Sequence, residues 1–308
     1  MSKVQKLTGI LALLIIVSAA LFYFDGEERD SFDRSIFAIE DTASVSSIVI
    51  QGPQGLLQVQ RQRGGWQLND TLLADPALIK VVFSIMQQVR VQRPVSQLNL
   101  ERIQKSLRES GQKISVVANG ETNEWYAGGD LSKSQAYFGD ESLSQVYLVG
   151  IPGYNHYVSG VFELTPNQWR DRLLFDSNFR SLQELNISYA DGESLKIDFE
   201  DRFFKVNALE HIDTTQLMTY INGLEKFQLN DYLTPGDYPR YDSLAKTMPV
   251  ARLILRDIDE RKNRDLEVYA KIPGERFYLL TNRSGDRIVV DQERLNSLLV
   301  TADYFQMD

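Results

Sequence analysis

The chain has 308 residues and a formal net charge of −9, from 33 basic and 42 acidic residues. A body this acidic is not suited to binding nucleic acid or to lying flat on anionic lipid. The absence of cysteine excludes disulfides, thiolate catalysis and a lipid-modified cysteine. A hydrophobic fraction of 43% and an aromatic fraction of 10% are typical of packed globular structure, so long disordered segments are not expected.

The chain opens with a candidate membrane anchor. An uncharged apolar run extends from Leu7 to Phe24, with Lys3 and Lys6 before it and an acidic cluster after it. As a helix, this run would be roughly 27 Å long, close to the thickness of a hydrocarbon core. The charges predict a single-pass protein of the bacterial inner membrane, with a cytoplasmic N-terminus and an extracytoplasmic, periplasmic body. The predicted anchor residues are Leu7, Ile10, Leu14, Ile16, Leu21 and Phe24.

A cleaved secretory signal is the alternative interpretation of this segment. Ser18-Ala19-Ala20 has the small residues of a cleavage site. However, the apolar run continues past that site as Leu21-Phe22-Tyr23-Phe24, and aromatic residues favour a membrane–water boundary. The sequence therefore favours an anchor that is retained.

Beyond the anchor, two segments about 138 residues apart share one pattern. Each predicts three short alternating strands with turns between them, followed by an amphipathic helix. Asn69 and Asp75 in the first segment recur as Asn207 and Asp213 in the second, and both aspartates occupy expected N-cap positions. Chance similarity between alternating strands is the alternative, but the constant offset favours an internal duplication.

A strand meander and a closing helix are predicted to follow in each half. The expected strands cover residues 114–118, 124–127, 135–138 and 146–149, and residues 252–256, 266–269, 276–280 and 287–290. The closing helices are expected over residues 168–174 and 293–300. The predicted fold is α+β: an N-terminal transmembrane helix, then tandem duplicated strand-meander-plus-helix units, with helices packed on one face of antiparallel sheets.

These patterns divide the chain into four parts. Residues 1–24 are the cytoplasmic tip and transmembrane helix, and residues 25–36 are a juxtamembrane linker. Residues 37–168 form the first α+β half, and residues 169–308 form the second. These two ranges are called the first half and the second half below.

Several short motifs together suggest a family. They are Phe37-Ala-Ile39-x-Asp41, Val45-x-x-Ile48-x-Ile50, Trp66-x-Leu68-Asn69 and Trp169-Arg-Asp-Arg172. In their order and spacing, the chain resembles a domain-of-unknown-function family of membrane-anchored bacterial proteins. Members are often encoded beside ABC-type transporters similar to the one associated with gliding motility. The resemblance implies an accessory role with an ABC-type permease or related subunits as partners, and it carries over no catalytic residue.

The sequence offers little that points to chemistry. Glu210-His211-Ile212-Asp213 could be imagined as metal ligands, but Asp213 is expected to cap a helix and this spacing is not characteristic of a metal site. His156 is the other histidine, and neither comes with a nucleophile motif. We therefore predict no catalytic residue, no metal, no cofactor and no enzymatic activity, although a chance carboxylate pair leaves an envelope hydrolase open.

The places where the two halves differ are the candidate partner-binding sites. Both are loops in which aromatic residues alternate with proline and glycine, and tyrosine and arginine are enriched in protein–protein hot spots. For each loop, the sequence favours a structural role in which these side chains pack back onto the sheets, and partner binding is the functional alternative. The sequence predicts a scaffold subunit first and an extracytoplasmic ligand-binding module second. The candidate residues are Tyr154, His156, Tyr157, Tyr238, Arg240 and Tyr241.

Overall fold

The computed structural model of the protein describes residues 14–19, 33–207 and 209–307. It has an α+β fold dominated by two large antiparallel sheets, which confirms the predicted fold class at this level. Residues 14–19 are helical, and none of the described helices is long and apolar enough to cross a membrane. Leu14 and Ile16 lie in this helical stretch and are exposed. The other predicted anchor residues, Leu7, Ile10, Leu21 and Phe24, lie outside the described residues.

The first half forms a nine-stranded sheet and the helices that cover it. Its elements are β1 (Val45–Gly52), β2 (Gly55–Gln62), β3 (Gly65–Leu68), β4 (Leu72–Leu73), α1 (Pro76–Gln88), β5 (Arg90–Pro94), α2 (Gln97–Ser110), β6 (Gln112–Ala118), β7 (Glu121–Gly129), β8 (Ala136–Asp140), β9 (Val146–Gly150) and α3 (Pro166–Trp169). The strand order is β4-β3-β2-β1-β6-β7-β8-β9-β5. Every neighbouring pair is antiparallel.

The second half forms an eight-stranded sheet. Its elements are β10 (Leu173–Phe175), β11 (Leu182–Tyr189), β12 (Ser194–Glu200), β13 (Phe203–Val206), α4 (Thr214–Asn222), β14 (Phe227–Gln228), β15 (Asp231–Leu233), α5 (Pro239–Leu244), β16 (Ala251–Asp257), β17 (Arg264–Val268), β18 (Phe277–Asn282), β19 (Arg287–Asp291) and α6 (Gln292–Asn296). The order is β13-β12-β11-β16-β17-β18-β19-β15, and β10 pairs separately with β14. Apart from β4, the first sheet has the same order.

The central strands β1 and β11 show why the sequence patterns of the two halves match. Their eight residues have the same sequence of buried and exposed side chains, because successive residues of a strand face opposite sides of the sheet. Ile48 and Ile50 in β1, and Leu185 and Ile187 in β11, are buried in the cores of their halves. Each strand also has a register shift near its first residue, where it pairs with β6 or β16.

The turn before the main helix of each half is held by the same two side chains. Asn69 and Asn207 adopt positive φ angles of 46° and 42°. The side-chain oxygen of each accepts a backbone N–H from the neighbouring strand, β2 or β12. Asp75 and Asp213 then cap α1 and α4 by accepting N–H groups of the first helical turn, as predicted.

After the last strands of each meander, the chain returns to the start of the main helix of that half. The Asp75 N–H donates to the Trp169 carbonyl at 2.9 Å, and the Asp213 N–H donates to the Phe305 carbonyl at 2.9 Å. The Trp169 and Phe305 side chains are both fully buried. Each core is therefore completed by a large aromatic residue. Trp169, the first residue of the second half, completes the core of the first half, and Phe305 completes that of the second.

The prediction that helices pack on one face of the sheets is wrong. Tyr137 and Phe138 are adjacent in β8, so their side chains point to opposite faces, yet both are buried. Phe138 belongs to the core that contains α1, whereas Tyr137 packs with Ile103 of α2. In the second half, α4 and α5 likewise pack on opposite faces of the sheet, in two separate clusters of buried residues. Helices cover both faces because the last strands of each meander are apolar on both sides.

The closing helices are also shorter than predicted. The helix expected over residues 168–174 ends at Trp169, and the chain continues in extended form to β10. The physical reason is pairing, because Arg170 forms a β-bridge with Ala74. The helix expected over residues 293–300 covers Gln292–Asn296.

Candidate functional site

The first predicted surface is the loop after β9. Tyr154 and His156 are exposed, and their ring centroids lie 4.7 Å apart. Tyr157 is half-buried: its hydroxyl donates to the Glu163 carboxylate, and its ring covers Gly129, where a Cβ would lie 2.2 Å from the ring. Burial is the main cause that raises the pKa of Tyr157. Tyr157 thus anchors the loop, while Tyr154 and His156 face solvent.

The second predicted surface is formed by α5 and the loop before it. Tyr241 is buried, and its hydroxyl lies 3.5 Å from a carbonyl of β18. Arg240 donates to the Pro273 carbonyl at 2.9 Å and to the Glu275 carboxylate. Tyr238 remains 49% exposed. The three predicted residues line one cavity of about 320 Å³, so the structure brings this set together as a local site.

A third site, which the sequence did not reveal, is a larger cleft of about 800 Å³ between the two halves. The first half contributes the β4 region, and the second contributes the segment before β10, the β16–β17 connection and the β18–β19 turn. Most of the lining side chains are polar or charged. Its charged residues are Arg170, Asp171, Arg256, Arg261, Arg264, Asp265, Arg283 and Asp286.

The cleft is built around Arg170. Its two terminal nitrogens donate to the two Asp286 carboxylate oxygens at 2.9 and 2.8 Å. The guanidinium lies 3.6 Å from the centroid of the Tyr232 ring, and the Tyr232 hydroxyl donates to the Asp171 carbonyl at 2.9 Å. The Asp171 N–H in turn donates to the Leu73 carbonyl at 2.8 Å. The hydrogen bond between Asp171 and Leu73 connects the two halves, and the other contacts hold Arg170 in place within the second half.

Two other arginines in the cleft have no carboxylate partner among the described residues. The Arg256 guanidinium donates to the Leu255 and Arg264 carbonyls at 3.1 and 3.2 Å. Arg264 donates from Nε to the Leu174 carbonyl at 2.8 Å, and from Nη1 to two carbonyls of the preceding turn. Burial lowers the pKa of Arg264. Both cations are thus held in place by neutral backbone groups.

The carboxylates of the cleft have shifted pKa values, which is a condition that a hydrolase would require. Burial raises the pKa of Asp171, whereas the hydrogen bond from Arg170 lowers that of Asp286. The pKa of Asp265 is also lowered, first by Arg252. The two low-pKa carboxylates are bound by arginines, which is the arrangement of structural ion pairs.

The histidines form no site in the part of the chain that the structure describes. His211 is exposed, as is His156. Within the described ranges, no group of three or more histidine, aspartate or glutamate side chains is placed to hold a metal ion. Asp213 has the capping role that the sequence predicted.

The signal for the cleft was present in the sequence but could not be interpreted there. Trp169-Arg-Asp-Arg172 stood out as one of the motifs of the resemblance, and Arg170 and Asp171 now lie at the junction of the halves. Their partners are more than 50 residues away, so only the fold brings them together. Comparisons of the chain with protein-family models, with characterised proteins and with solved structures find no match.

Proposed function

We propose that the protein is a non-catalytic accessory or scaffold subunit of a bacterial envelope membrane complex. In this proposal, residues 7–24 anchor it in the inner membrane and the body is extracytoplasmic. The expected partners are the permease or related subunits of an ABC-type transporter of the gliding-motility-related kind. The observation that supports a docking role is the cavity lined by Tyr238, Arg240 and Tyr241.

This surface has the properties of a protein-binding site. Tyr241 is buried and Arg240 is held by Pro273 and Glu275, so the segment is ordered before any partner arrives. A pre-ordered tyrosine and arginine lose little conformational entropy on binding. Tyr238, with about half of its surface exposed, can bury aromatic area against a partner.

The proposal also includes the duplication of one unit, with halves 37–168 and 169–308. Its support is the shared strand order, the matching burial of β1 and β11, and the recurrence of the asparagine turn and the aspartate cap. Two similar units in one chain present two related but different surfaces. The predicted loops lie where these two units diverge, which suits a subunit that contacts more than one partner.

The test is purification of the full chain from its native membrane in mild detergent, followed by mass spectrometry. We expect transporter subunits to copurify with the wild type and to be lost with Tyr238→Ala and Arg240→Ala. Tyr304→Ala is the matched control, because Tyr304 is 47% exposed and lies outside both predicted surfaces. Recovery of the wild type only as a free monomer would count against the proposal.

A ligand-binding module is the second candidate function, and the cleft between the halves is the observation that favours it. Its volume is within the range of known ligand sites, roughly 300–1,000 Å³. An envelope hydrolase is the least supported alternative. Asp286 and Asp265 in the cleft form ion pairs with Arg170 and Arg283, which is the arrangement of structural carboxylates.

A further inference from the structure

We propose that the outer edge of β13 binds an extended segment of a partner polypeptide, which would add one antiparallel strand to the second sheet. β13 and β15 are at opposite ends of this sheet, so the edge is separate from the docking surface near Tyr238. The inference goes beyond the proposed scaffold function, and it can be tested without any transporter subunit.

In the first half, the matching edge is covered by β4. β3, the counterpart of β13, pairs on its outer side with the two leucines of β4. The residue after β4, Ala74, donates its N–H to the Trp66 carbonyl of β3 at 2.8 Å. The Leu72 side chain packs against the core of the first half. A short apolar strand thus satisfies the backbone of this edge and adds apolar contacts.

The second half has no such strand in the part of the chain that the structure describes. At the offset that relates the two halves, the leucines of β4 correspond to Glu210 and His211, and both are exposed. The Leu209 N–H donates to the Val206 carbonyl at 3.0 Å, so the chain turns back at the end of β13. β13 is therefore the last strand of its sheet.

The backbone of Phe204, the counterpart of Trp66, points away from the sheet. Asn207 donates its N–H to the Lys196 carbonyl at 2.8 Å, and hydrogen-bonded pairs alternate with non-hydrogen-bonded pairs along an antiparallel ladder. Three positions away, Phe204 faces Phe199 in a non-hydrogen-bonded pair. Its N–H and carbonyl have no partner among the described residues, and an added strand would satisfy both.

An apolar groove lies beside this edge. Its volume is about 280 Å³, and seven of its nine lining residues are apolar. Phe179 and Phe199 are exposed in it, and Phe203 is 72% exposed. α4 contributes Leu217 and Met218. A contiguous group of exposed aromatic side chains is typical of an interaction surface.

The geometry of strand addition defines the partner. Opposite residues of an antiparallel pair have their side chains on the same face of the sheet. Phe204 packs against the core and lines the groove, so a partner residue bonded to its backbone would direct its side chain into the groove. The fitting segment is extended and apolar at every second residue. A lipid acyl chain could fill the groove but could not bond to the backbone of Phe204.

The test measures binding of a labelled peptide of alternating threonine and leucine to the full chain in mild detergent, by fluorescence anisotropy. A second peptide, N-methylated at its leucines, keeps the side chains but lacks the donors that would face β13. We expect saturable binding, weakened about tenfold or more by N-methylation and by Phe203→Lys, since a lysine protects a sheet edge. Leu56→Lys is the matched control, because Leu56 is an exposed strand residue outside the groove.

Hydrogen exchange measured by mass spectrometry locates the bound peptide. Exchange should slow over residues 203–206 and stay unchanged over residues 65–68, whose edge β4 already covers. Equal affinity for the methylated peptide would show apolar binding without strand addition and would overturn the proposal. So would the absence of saturable binding, unchanged exchange over β13 or an equal loss with Leu56→Lys. If circular dichroism shows that Phe203→Lys is unfolded, the comparison of the two peptides on the wild type decides.

Discussion

Removal of the ion pair between Arg170 and Asp286 should destabilise the junction of the two halves. The Arg170 side chain is 10% exposed and that of Asp286 is 25% exposed, and two hydrogen bonds join them. Arg170→Met would leave the carboxylate with the Asn282 amide as its remaining side-chain partner. Asp286→Asn would leave a buried guanidinium without its counter-charge.

The expected cost follows from the burial of the pair. Loss of one partner of a fully buried ion pair costs about 3–5 kcal/mol, because the other charge stays buried and unpaired. Since Asp286 keeps a quarter of its side chain in solvent, we expect about 2–4 kcal/mol for each single variant. Arg170→Met should lose about 1 kcal/mol more, because the guanidinium also stacks on Tyr232. The double variant should cost less than the sum of the singles.

Urea unfolding of the full chain in mild detergent, followed by tryptophan fluorescence, measures these free energies. Trp169, next to Arg170, is fully buried and reports on the same region. Glu200→Gln is the control, because the pair of Glu200 with Lys205 lies on the surface and its loss should leave unfolding unchanged. Single variants within about 0.5 kcal/mol of the wild type, or strictly additive effects, would refute the reasoning.

The same pair predicts a dependence on pH. The hydrogen bonds from Arg170 hold the pKa of Asp286 below its ordinary value, so the folded state favours the ionised carboxylate. Its contribution to stability is present above the unfolded-state pKa, about 3.9, and is lost as the pH falls through the lower folded-state pKa. The stabilities of the wild type and Asp286→Asn should therefore converge in acid, and a constant difference down to that range would contradict this.

Three further predictions concern the repeated asparagine turns, the N-cap of α4 and the first loop. Asn69→Ala and Asn207→Ala should each lower the free energy of unfolding in urea by about 1–2 kcal/mol, because both positions have positive φ and lose a side-chain hydrogen bond. Wild-type stability of either variant would be evidence against that role of the asparagines. Asp213→Ala should cost about 1 kcal/mol through loss of the N-cap, and Asp213→Asn, which can still cap, should not. Gly129→Ala should cost about 1–3 kcal/mol because its Cβ would overlap the Tyr157 ring, and Tyr157→Ser should restore the melting temperature if that contact is the cause.

The features that could be predicted from the sequence are those set by local chemistry. The expected strands of both meanders overlap β6–β9 and β16–β19, because alternation along a strand and turn residues are properties of neighbouring residues. Asp75 and Asp213 were identifiable as caps for the same reason. The recurrence of Asn69 at Asn207 marked a turn whose shape depends on a positive φ, which asparagine tolerates.

The features that could not be predicted depend on distant contacts. β5 and β15 are short and carry few apolar residues, so only their pairing with β9 and β19 makes them strands. The cover on both faces had one local indication. Val146-Tyr-Leu-Val149 is a continuous apolar run, which is typical of a strand buried on both sides. The cleft could not be predicted, because Arg170 and Asp286 are 116 residues apart in sequence.

The closure of each core at the start of its own main helix has a consequence for biogenesis. Trp169 completes the first core, so that core has all of its residues as soon as synthesis has passed this point. The second core waits for Phe305, which is synthesised 136 residues after Trp169. The nascent chain can thus fold in two successive steps, with the earlier half finished while the later one is still being delivered.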